Sequence, residues 1–188
     1  MNAKRLFLSA RLLLTRSAEK RANYLRKKNV FHHIGENCSI MSRVVPLYPN
    51  LISIGNNVHI ASDVHFITHD VIHHMLNVKC GEKKYQEGVG CIKIGDNVFV
   101  GANVTFLMNV NVGDNVVIGA NSLVAKDIPS NSVVGGVPAK VISDFESFAK
   151  KKENVSYPND MKPVTGREVS KELEEYMWND FLVKKGLK

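Results

Sequence analysis

Residues 94–129 read IGDNVF VGANVT FLMNVN VGDNVV IGANSL VAKDIP and divide without a slip into six groups of six. Each group opens with an aliphatic or aromatic residue, and its fourth residue is always Asn or Asp. Self-similarity at a short fixed period is the signature of a solenoid, whose turns bury their apolar side chains against neighbouring turns. We therefore predict that six residues form one flat side, three sides form a triangular coil, and stacked coils bury a column of Ile and Val.

The same period continues toward the N-terminus with two interruptions. Further hexads begin at Ile34, Ile40, Ile54, Ile60 and Phe66. Residues 46–53 replace one hexad with eight residues, which predicts one enlarged corner. Residues 70–91 are a polar, His-rich insertion. A loop that leaves a rigid solenoid and returns to it in phase is usually functional.

Turn residues recur inside the hexads. The second position is often Gly or Ala, and the fourth is Asn or Asp. Gly and Asn tolerate positive φ, and an Asn side chain also bonds its own backbone, so both positions are expected where the chain turns.

The two ends of the chain have a different character. Residues 1–29 are predicted to form one basic amphipathic helix, with Leu6, Leu13 and Leu14 near one face. Residues 143–188 are predicted to form a C-terminal helical extension, with a short helix over 143–152 and a final helix over 165–185. Solenoids need their open ends covered, and both helical ends are expected to do this. The coil domain between them spans 30–142.

Composition narrows the setting. The three cysteines, Cys38, Cys80 and Cys91, form no CxxC pair, and an odd number does not make a disulfide framework. We therefore expect a reducing, cytoplasmic environment. No stretch approaches the ~20 apolar residues of a membrane span. Arg11 interrupts the apolar run near the N-terminus, so no signal peptide is expected.

Positive charge is concentrated at the N-terminus. The net charge is +7, and residues 1–28 hold nine Lys and Arg against the single anion Glu19. Two interpretations of this basic segment stay open: it caps the solenoid, or it makes a peripheral contact with anionic lipid at the inner face of the membrane. Nucleic acid is not an expected partner, because no recognition motif or interleaved aromatic residues accompany the charge.

Three parts of the sequence together resemble the hexapeptide-repeat acyltransferases. These are the hexads, the segment that begins at His69 with HDVIHHML, and the segment from Ser122 to Lys140, SLVAKDIPSNSVVGGVPAK. The resemblance covers 34–142 and is closest to the maltose and galactoside O-acetyltransferases and to the capsule and O-antigen O-acetyltransferases. It implies an all-β fold, the left-handed parallel β-helix, in a homotrimer whose active sites lie between subunits. It also implies acetyl-coenzyme A (acetyl-CoA) as cosubstrate and a hydroxyl of a sugar or polysaccharide precursor as acceptor.

The resemblance implies that His69 is the general base. A sugar hydroxyl is a poor nucleophile, and a neutral imidazole that takes its proton contributes typically 10²–10⁴-fold. Direct transfer is expected, because no Gly-x-Ser-x-Gly elbow supports a serine nucleophile. Asp70 either orients His69 or caps the following turn.

The family's coenzyme positions fall on Ala102, Ala120, Ala125, Lys126 and Lys140. Ala102 stands where the family often has serine, and Ala125 where it often has threonine, but the backbone N–H groups remain. The Ala102 N–H is the candidate donor to the thioester oxyanion. Lys126 and Lys140 are the cations expected to meet the coenzyme phosphates.

Three alternatives remain beside O-acetylation. An amino sugar would make the enzyme an N-acetyltransferase, and a protein without activity would be a trimeric scaffold. A carbonic-anhydrase-like zinc enzyme needs three converging histidines, but none follows residue 94, so no metal is expected. The basic helix stands where the maltose and galactoside enzymes have a sugar-contacting domain, which favours a polysaccharide precursor, with a lipid-linked one as a further option.

Overall fold

The computed structural model describes residues 3–153 and 169–187. The chain forms two compact units, Met1–Phe148 and Ala149–Lys188. The helices are α1 (Ala3–Leu14), α2 (Ala18–Lys27), α3 (Ile72–Cys80), α4 (Phe145–Glu153) and α5 (Lys171–Lys184), with a 3-10 turn at Pro49–Leu51. The strands are β1 (His33–Ile34), β2 (Ser39–Ile40), β3 (Ile52–Ile54), β4 (Val58–Ile60), β5 (His65–Phe66), β6 (His69–Asp70), β7 (Gly88–Val89), β8 (Ile92–Ile94), β9 (Val98–Val100), β10 (Thr105–Phe106), β11 (Val110–Val112), β12 (Val116–Ile118), β13 (Leu123–Val124), β14 (Ser132–Gly135) and β15 (Lys140–Asp144).

Successive strands of the stack belong in turn to three sheets. The first sheet runs β1-β3-β8-β11, the second β2-β4-β9-β12-β14-β15, and the third β5-β10-β13. All neighbours within them are parallel except β14 and β15, which form an antiparallel pair. The Asp96 N–H bonds Asp114, 18 residues later, which agrees with the predicted three hexads per turn.

Both interruptions leave the phase of the coils intact. Across the eight-residue corner the equivalent hydrogen bond joins Glu36 and Asn56, 20 residues apart. Across the insertion it joins Asn56 and Asp96, 40 residues apart, and the strands on either side still pair residue for residue. The insertion therefore lies outside the stack, as predicted.

The core is a continuous column of aliphatic side chains. Its fully buried members come from all three sheets and include Ile52, Ile54, Val58, Ile92, Val100, Phe106, Val116, Ile118 and Val124. Two aromatic rings of successive coils, Phe66 and Phe106, stack with centroids 5.3 Å apart. Each fully buried aliphatic side chain stabilises the fold by roughly 1.5–3 kcal/mol, so coil-on-coil contact holds the stack together.

Asn and Gly have different roles at the corners of the coils. The fourth-position Asn residues have positive φ, as expected. At one corner, side-chain hydrogen bonds join Asn57, Asn97 and Asn115 in a ladder that continues to Asn131, beyond the last hexad. The second-position glycines do not need positive φ. A Cβ at Gly95 or Gly101 would lie within 2.5 Å of the next coil, so Gly is required there by close approach.

The N-terminal segment is two helices, which corrects the prediction of one. Ser17 is the N-cap of the second helix, and its side chain accepts a hydrogen bond from the Lys20 N–H. The buried face of α1 carries Leu8 and Leu12, whereas the predicted Leu6, Leu13 and Leu14 are exposed. The predicted face is wrong because apolar residues lie on both sides of this helix.

The second helix packs against the first coil. Arg21 of α2 is 1% exposed, and its guanidinium donates to the carbonyl oxygens of Ile40 and Thr15 at 2.8 and 2.6 Å. Burial lowers the pKa of this guanidinium. α2 also lies against β1 and β2, so the basic segment covers the first coil.

The C-terminal elements begin with the β14–β15 hairpin. α4 lies close to the helix predicted over 143–152. α5 begins after the N-cap Ser170, and residues 165–168 of the predicted final helix lie outside the described residues. None of the described helices is both long and apolar enough to cross a membrane.

Candidate active site

The loop leaves the stack at a tightly held point. Thr68 is fully buried, and its Oγ1 donates to the Leu47 carbonyl at 2.9 Å. The Gly90 N–H bonds the Thr68 carbonyl at 2.9 Å, and His69 pairs with Val89 across the antiparallel β6–β7 strands. The start and the end of the loop are thus joined to each other, and this fixes the backbone of His69.

The His69 ring rests on an aromatic residue that sequence reasoning missed. Tyr48 contacts it edge to face, with ring centroids 5.2 Å apart. Tyr48 has φ 51°, a left-handed conformation that is uncommon for a bulky residue. Its hydroxyl donates to Glu87 Oε1 at 3.1 Å, so Tyr48 bridges the eight-residue corner and the end of the loop.

The hydrogen bond to Glu87 and its negative charge raise the pKa of the Tyr48 phenol above its ordinary value. Tyr48 therefore stays protonated, and a donor, throughout the neutral range. No spacing rule links Tyr48 to Glu87, since 39 residues separate them.

Nδ1 of the His69 ring is buried and has no hydrogen-bond partner within residues 3–153 and 169–187. The side chain as a whole is half-buried at the edge of the stack.

Asp70 caps the turn after His69, which was one of its two predicted roles. Its Oδ1 accepts a hydrogen bond from the Ile72 N–H at 3.0 Å, at the start of α3. Opposite it, a Cβ at Gly88 would lie 2.4 Å from Asp70 Oδ2, so Gly88 makes room for this carboxylate.

The loop is more ordered than predicted, because it contains α3. This helix ends at Cys80, and its C-cap, Gly81, has φ 73°, a left-handed conformation that suits glycine. Asn77 organises the chain beyond it: Oδ1 accepts from the N–H groups of Lys84 and Tyr85, and Nδ2 donates to the Tyr85 carbonyl. The neighbouring rings of His73 and His74 lie 4.0 Å apart.

The corners of the coils differ in how they treat the third-position amide. At one corner the N–H groups of Asn56, Asp96 and Asp114 each bond a side chain of the next coil. At another corner the third residues are Ala102 and Ala120, whose N–H groups meet no acceptor in the described ranges. The two corners therefore differ in whether this amide has a hydrogen-bond partner.

The remaining predicted coenzyme residues lie near the end of the stack. Ala125 and Lys126 are exposed beyond β13, and Lys140 is exposed in the β14–β15 hairpin, opposite Gly135. No hydrogen bond or ring contact joins His69 to Ala102, Ala120, Ala125, Lys126 or Lys140 within the part of one chain that the structure describes.

The other histidines lie on surfaces. His59 is exposed, and its ring bonds Ser39 Oγ at 2.8 Å and Asn57 Oδ1 at 3.1 Å. His32, His33 and His65 are also exposed. Among residues 3–153 and 169–187, no three His, Cys, Asp or Glu side chains are arranged to hold a metal ion.

Known proteins share both the sequence and the fold. The family described as bacterial transferase hexapeptide (six repeats) matches residues 91–126. Protein CapG of Staphylococcus aureus is 42% identical over 160 residues, which cover 82% of this chain and 86% of CapG. A maltose O-acetyltransferase structure from Clostridium difficile 630 has a TM-score of 0.55 and 30% identity, covering 75% of this chain and 84% of that one. A galactoside acetyltransferase solved in complex with coenzyme A has a TM-score of 0.56 and 28% identity, covering 83% and 86%. The repeats, the stacked parallel sheets and these relatives show that the chain belongs to the hexapeptide-repeat acetyltransferase family.

Proposed function

We propose that this enzyme transfers an acetyl group from acetyl-CoA to a hydroxyl of a sugar or polysaccharide precursor, with His69 as general base. The observation that carries the proposal is the placement of His69. It is the first residue of the excursion from a rigid stack, with its backbone paired to Val89 and its ring against Tyr48. The O-acetyl chemistry is supported by relatives named as maltose and galactoside acetyltransferases.

In the proposed reaction, the acceptor oxygen attacks the thioester carbonyl as His69 removes its proton. Because His69 Nδ1 is buried, Nε2 is the nitrogen that faces the acceptor. The new C–O bond forms, the C–S bond breaks, and the departing thiolate receives the proton from the imidazolium. No covalent acyl-enzyme is needed for this balance.

The free amides of Ala102 and Ala120 support coenzyme binding. Both belong to small residues, so a narrow pantetheine arm can approach the backbone closely. The Ala102 N–H is the proposed donor to the carbonyl oxygen as its negative charge develops, a role worth about 2.7–4 kcal/mol in other enzymes. Ala125 follows β13, at a different corner from Ala102 and Ala120, and the exposed Lys126 and Lys140 near the end of the stack are the proposed partners of the coenzyme phosphates.

The site is proposed to be completed by a second chain. His69 and the coenzyme residues make no mutual contact within one described chain, whereas a homotrimer of left-handed coils would place them across a shared groove. Light scattering tests this directly: we expect the mass of three 20.9 kDa chains. A monomer at working concentrations would contradict the shared site.

The activity is tested by incubating the protein with acetyl-CoA and a panel of sugars, oligosaccharides and amino sugars while thiol release is followed. On the accepted substrate, His69→Ala is expected to lower kcat by about 10²–10⁴-fold. His59→Ala, an exposed histidine of the stack, is the matched control and keeps its rate. Wild-type turnover by His69→Ala would overturn the base assignment, and acetylation of amines alone would make the enzyme an N-acetyltransferase.

A further inference from the structure

α1 has apolar residues on two opposite faces. The inner face carries the buried Leu8 and Leu12. The outer side carries large side chains that are strongly exposed: Leu6 49%, Phe7 70%, Leu13 58% and Leu14 79%. At 3.6 residues per turn, these four and Ala10 occupy an arc of about 120° opposite the buried pair. We call these five residues the outer face of α1.

An apolar helix face of this extent marks an interaction site. No described residue covers it, since its four large side chains are all exposed. A helix that is apolar on both sides is typical of one that lies between two apolar environments. The first of these environments is the core of the first coil, which receives Leu8 and Leu12.

Exposed cations lie on α1 itself and on the segment that follows it. Arg11 borders it on the same helix, and Arg16, Lys20, Lys27 and Lys28 are exposed on the following turn and on α2. The one anion of residues 1–28 is Glu19, whose pKa is lowered by a hydrogen bond from Ser17, so it is ionised at neutral pH. It offsets one of nine cations, and the rest of the chain is close to neutral.

We propose that the outer face of α1 docks on an anionic lipid bilayer. Leu, Phe and basic residues on one surface helix are the features of a helix that lies in the membrane interface. Each Lys or Arg near an anionic surface contributes about 1 kcal/mol of attraction. A second copy of this chain is a poorer occupant, because two basic segments repel each other and the cores of protein interfaces are depleted of Lys.

Several copies would strengthen the contact. In the proposed trimer, parallel coils present three outer faces at the same end, and each contact raises the effective concentration of the next. This step rests on the proposed trimer, but docking of a single α1 does not. The arrangement would bring the acetyltransferase to an acceptor carried on a lipid.

The test is sedimentation of the 188-residue chain with vesicles of phosphatidylcholine, with and without phosphatidylglycerol. We expect at least about tenfold stronger binding to the anionic vesicles, weakening as salt is added. The variant Leu6→Ser, Phe7→Ser, Leu14→Ser is expected to lose binding by a similar factor. Its matched control is Met177→Ser, Trp178→Ser, Val183→Ser, which removes exposed apolar side chains from α5 and keeps binding.

A charge variant guards against misfolding of the serine variant. Arg16→Glu with Lys20→Glu alters two exposed cations of the N-terminal segment, and it is expected to weaken binding to anionic vesicles by about tenfold or more. Equal binding to both vesicle types, or unchanged binding by both the serine and the charge variant, would overturn the proposal. Loss of oligomers in place of vesicle binding would assign the outer face to a contact between copies. Because sedimentation does not depend on turnover, failure here leaves the role of His69 untouched.

Discussion

The coil stack and the extruded loop are specified in opposite ways. In the stack, each coil repeats the contacts of its neighbours, and fully buried residues such as Ile92 and Ile118 recur in register. In the loop, α3 has no buried residue, and its order depends on single side chains such as Asn77 and Tyr48. Redundant contacts make a rigid frame, whereas a few contacts leave a loop that can adapt to a substrate. The difference predicts that substitutions in the stack affect stability and substitutions in the loop affect catalysis.

The largest expected effect on stability is that of a core substitution. Ile92→Ala removes a fully buried side chain of β8 and is expected to lower the free energy of unfolding by about 2–5 kcal/mol. Lys93→Ala, on the outer side of the same strand, is the control and should change it by no more than about 0.5 kcal/mol. Urea denaturation at fixed protein concentration measures both. Equal effects of the two variants would show that the stack does not depend on its inner column.

A smaller effect is expected at a glycine that separates two coils. A Cβ at Gly101 would lie 2.5 Å from the Ala120 nitrogen, so Gly101→Ala should cost about 1–3 kcal/mol. At Gly119, the same position one coil later, the nearest atom would be 3.4 Å away. Gly119→Ala is therefore expected to be tolerated. Urea denaturation distinguishes the two variants. A Gly101→Ala variant with the unfolding free energy of wild type would contradict the close contact between the coils.

In the loop, Asn77→Ala should affect catalysis more than stability. The variant loses three hydrogen bonds that hold the chain after α3, while no core residue changes. We expect about tenfold lower kcat/KM, faster amide exchange in residues 70–89, and an unfolding free energy within about 0.5 kcal/mol of wild type. Lys79→Ala on α3 is the control. A large loss of global stability would show that the loop belongs to the cooperative core.

The smallest effect is expected from the hydroxyl of Tyr48. Tyr48→Phe keeps the ring against His69 but removes the hydrogen bond to Glu87, so kcat is expected to fall only about threefold, in keeping with one exposed hydrogen bond. Tyr48→Ala, which also removes the ring contact, should be more damaging.

The same contact has a pH signature. Because Glu87 raises the pKa of this phenol, the bond persists at neutral pH and is lost only as the pH rises through that raised value. Carbon-13 NMR of labelled tyrosine should show Tyr48 titrating above its ordinary pKa in wild type and lower in Glu87→Gln. An unchanged titration would contradict the contact.

The sequence predicts the stack well and the loop poorly, for one physical reason. Hydrophobic periodicity reports burial, and the hexads are buried at every period. α3 buries nothing, so no pattern announces it, and the Tyr48–Glu87 contact joins residues that no local rule relates. At α1, apolar residues on both faces conceal which face packs inward. The resemblance to the acyltransferase family points to His69, which lies where the phase of the hexads stops, and the structure adds the contacts that hold this residue in place.

Because all coils share one register, the length of the stack can change while its corners stay the same. Successive coils stack through equivalent contacts, and the strands of adjacent coils lie about 4.8 Å apart. Duplicating an 18-residue segment between β9 and β12 should therefore lengthen the molecule by one such step without changing any corner. Because the loop leaves the stack before this region, the added coil would increase the distance from His69 to every element from β12 to the C-terminal hairpin. The number of coils therefore sets the separation between the loop and the C-terminal hairpin, in steps of one coil.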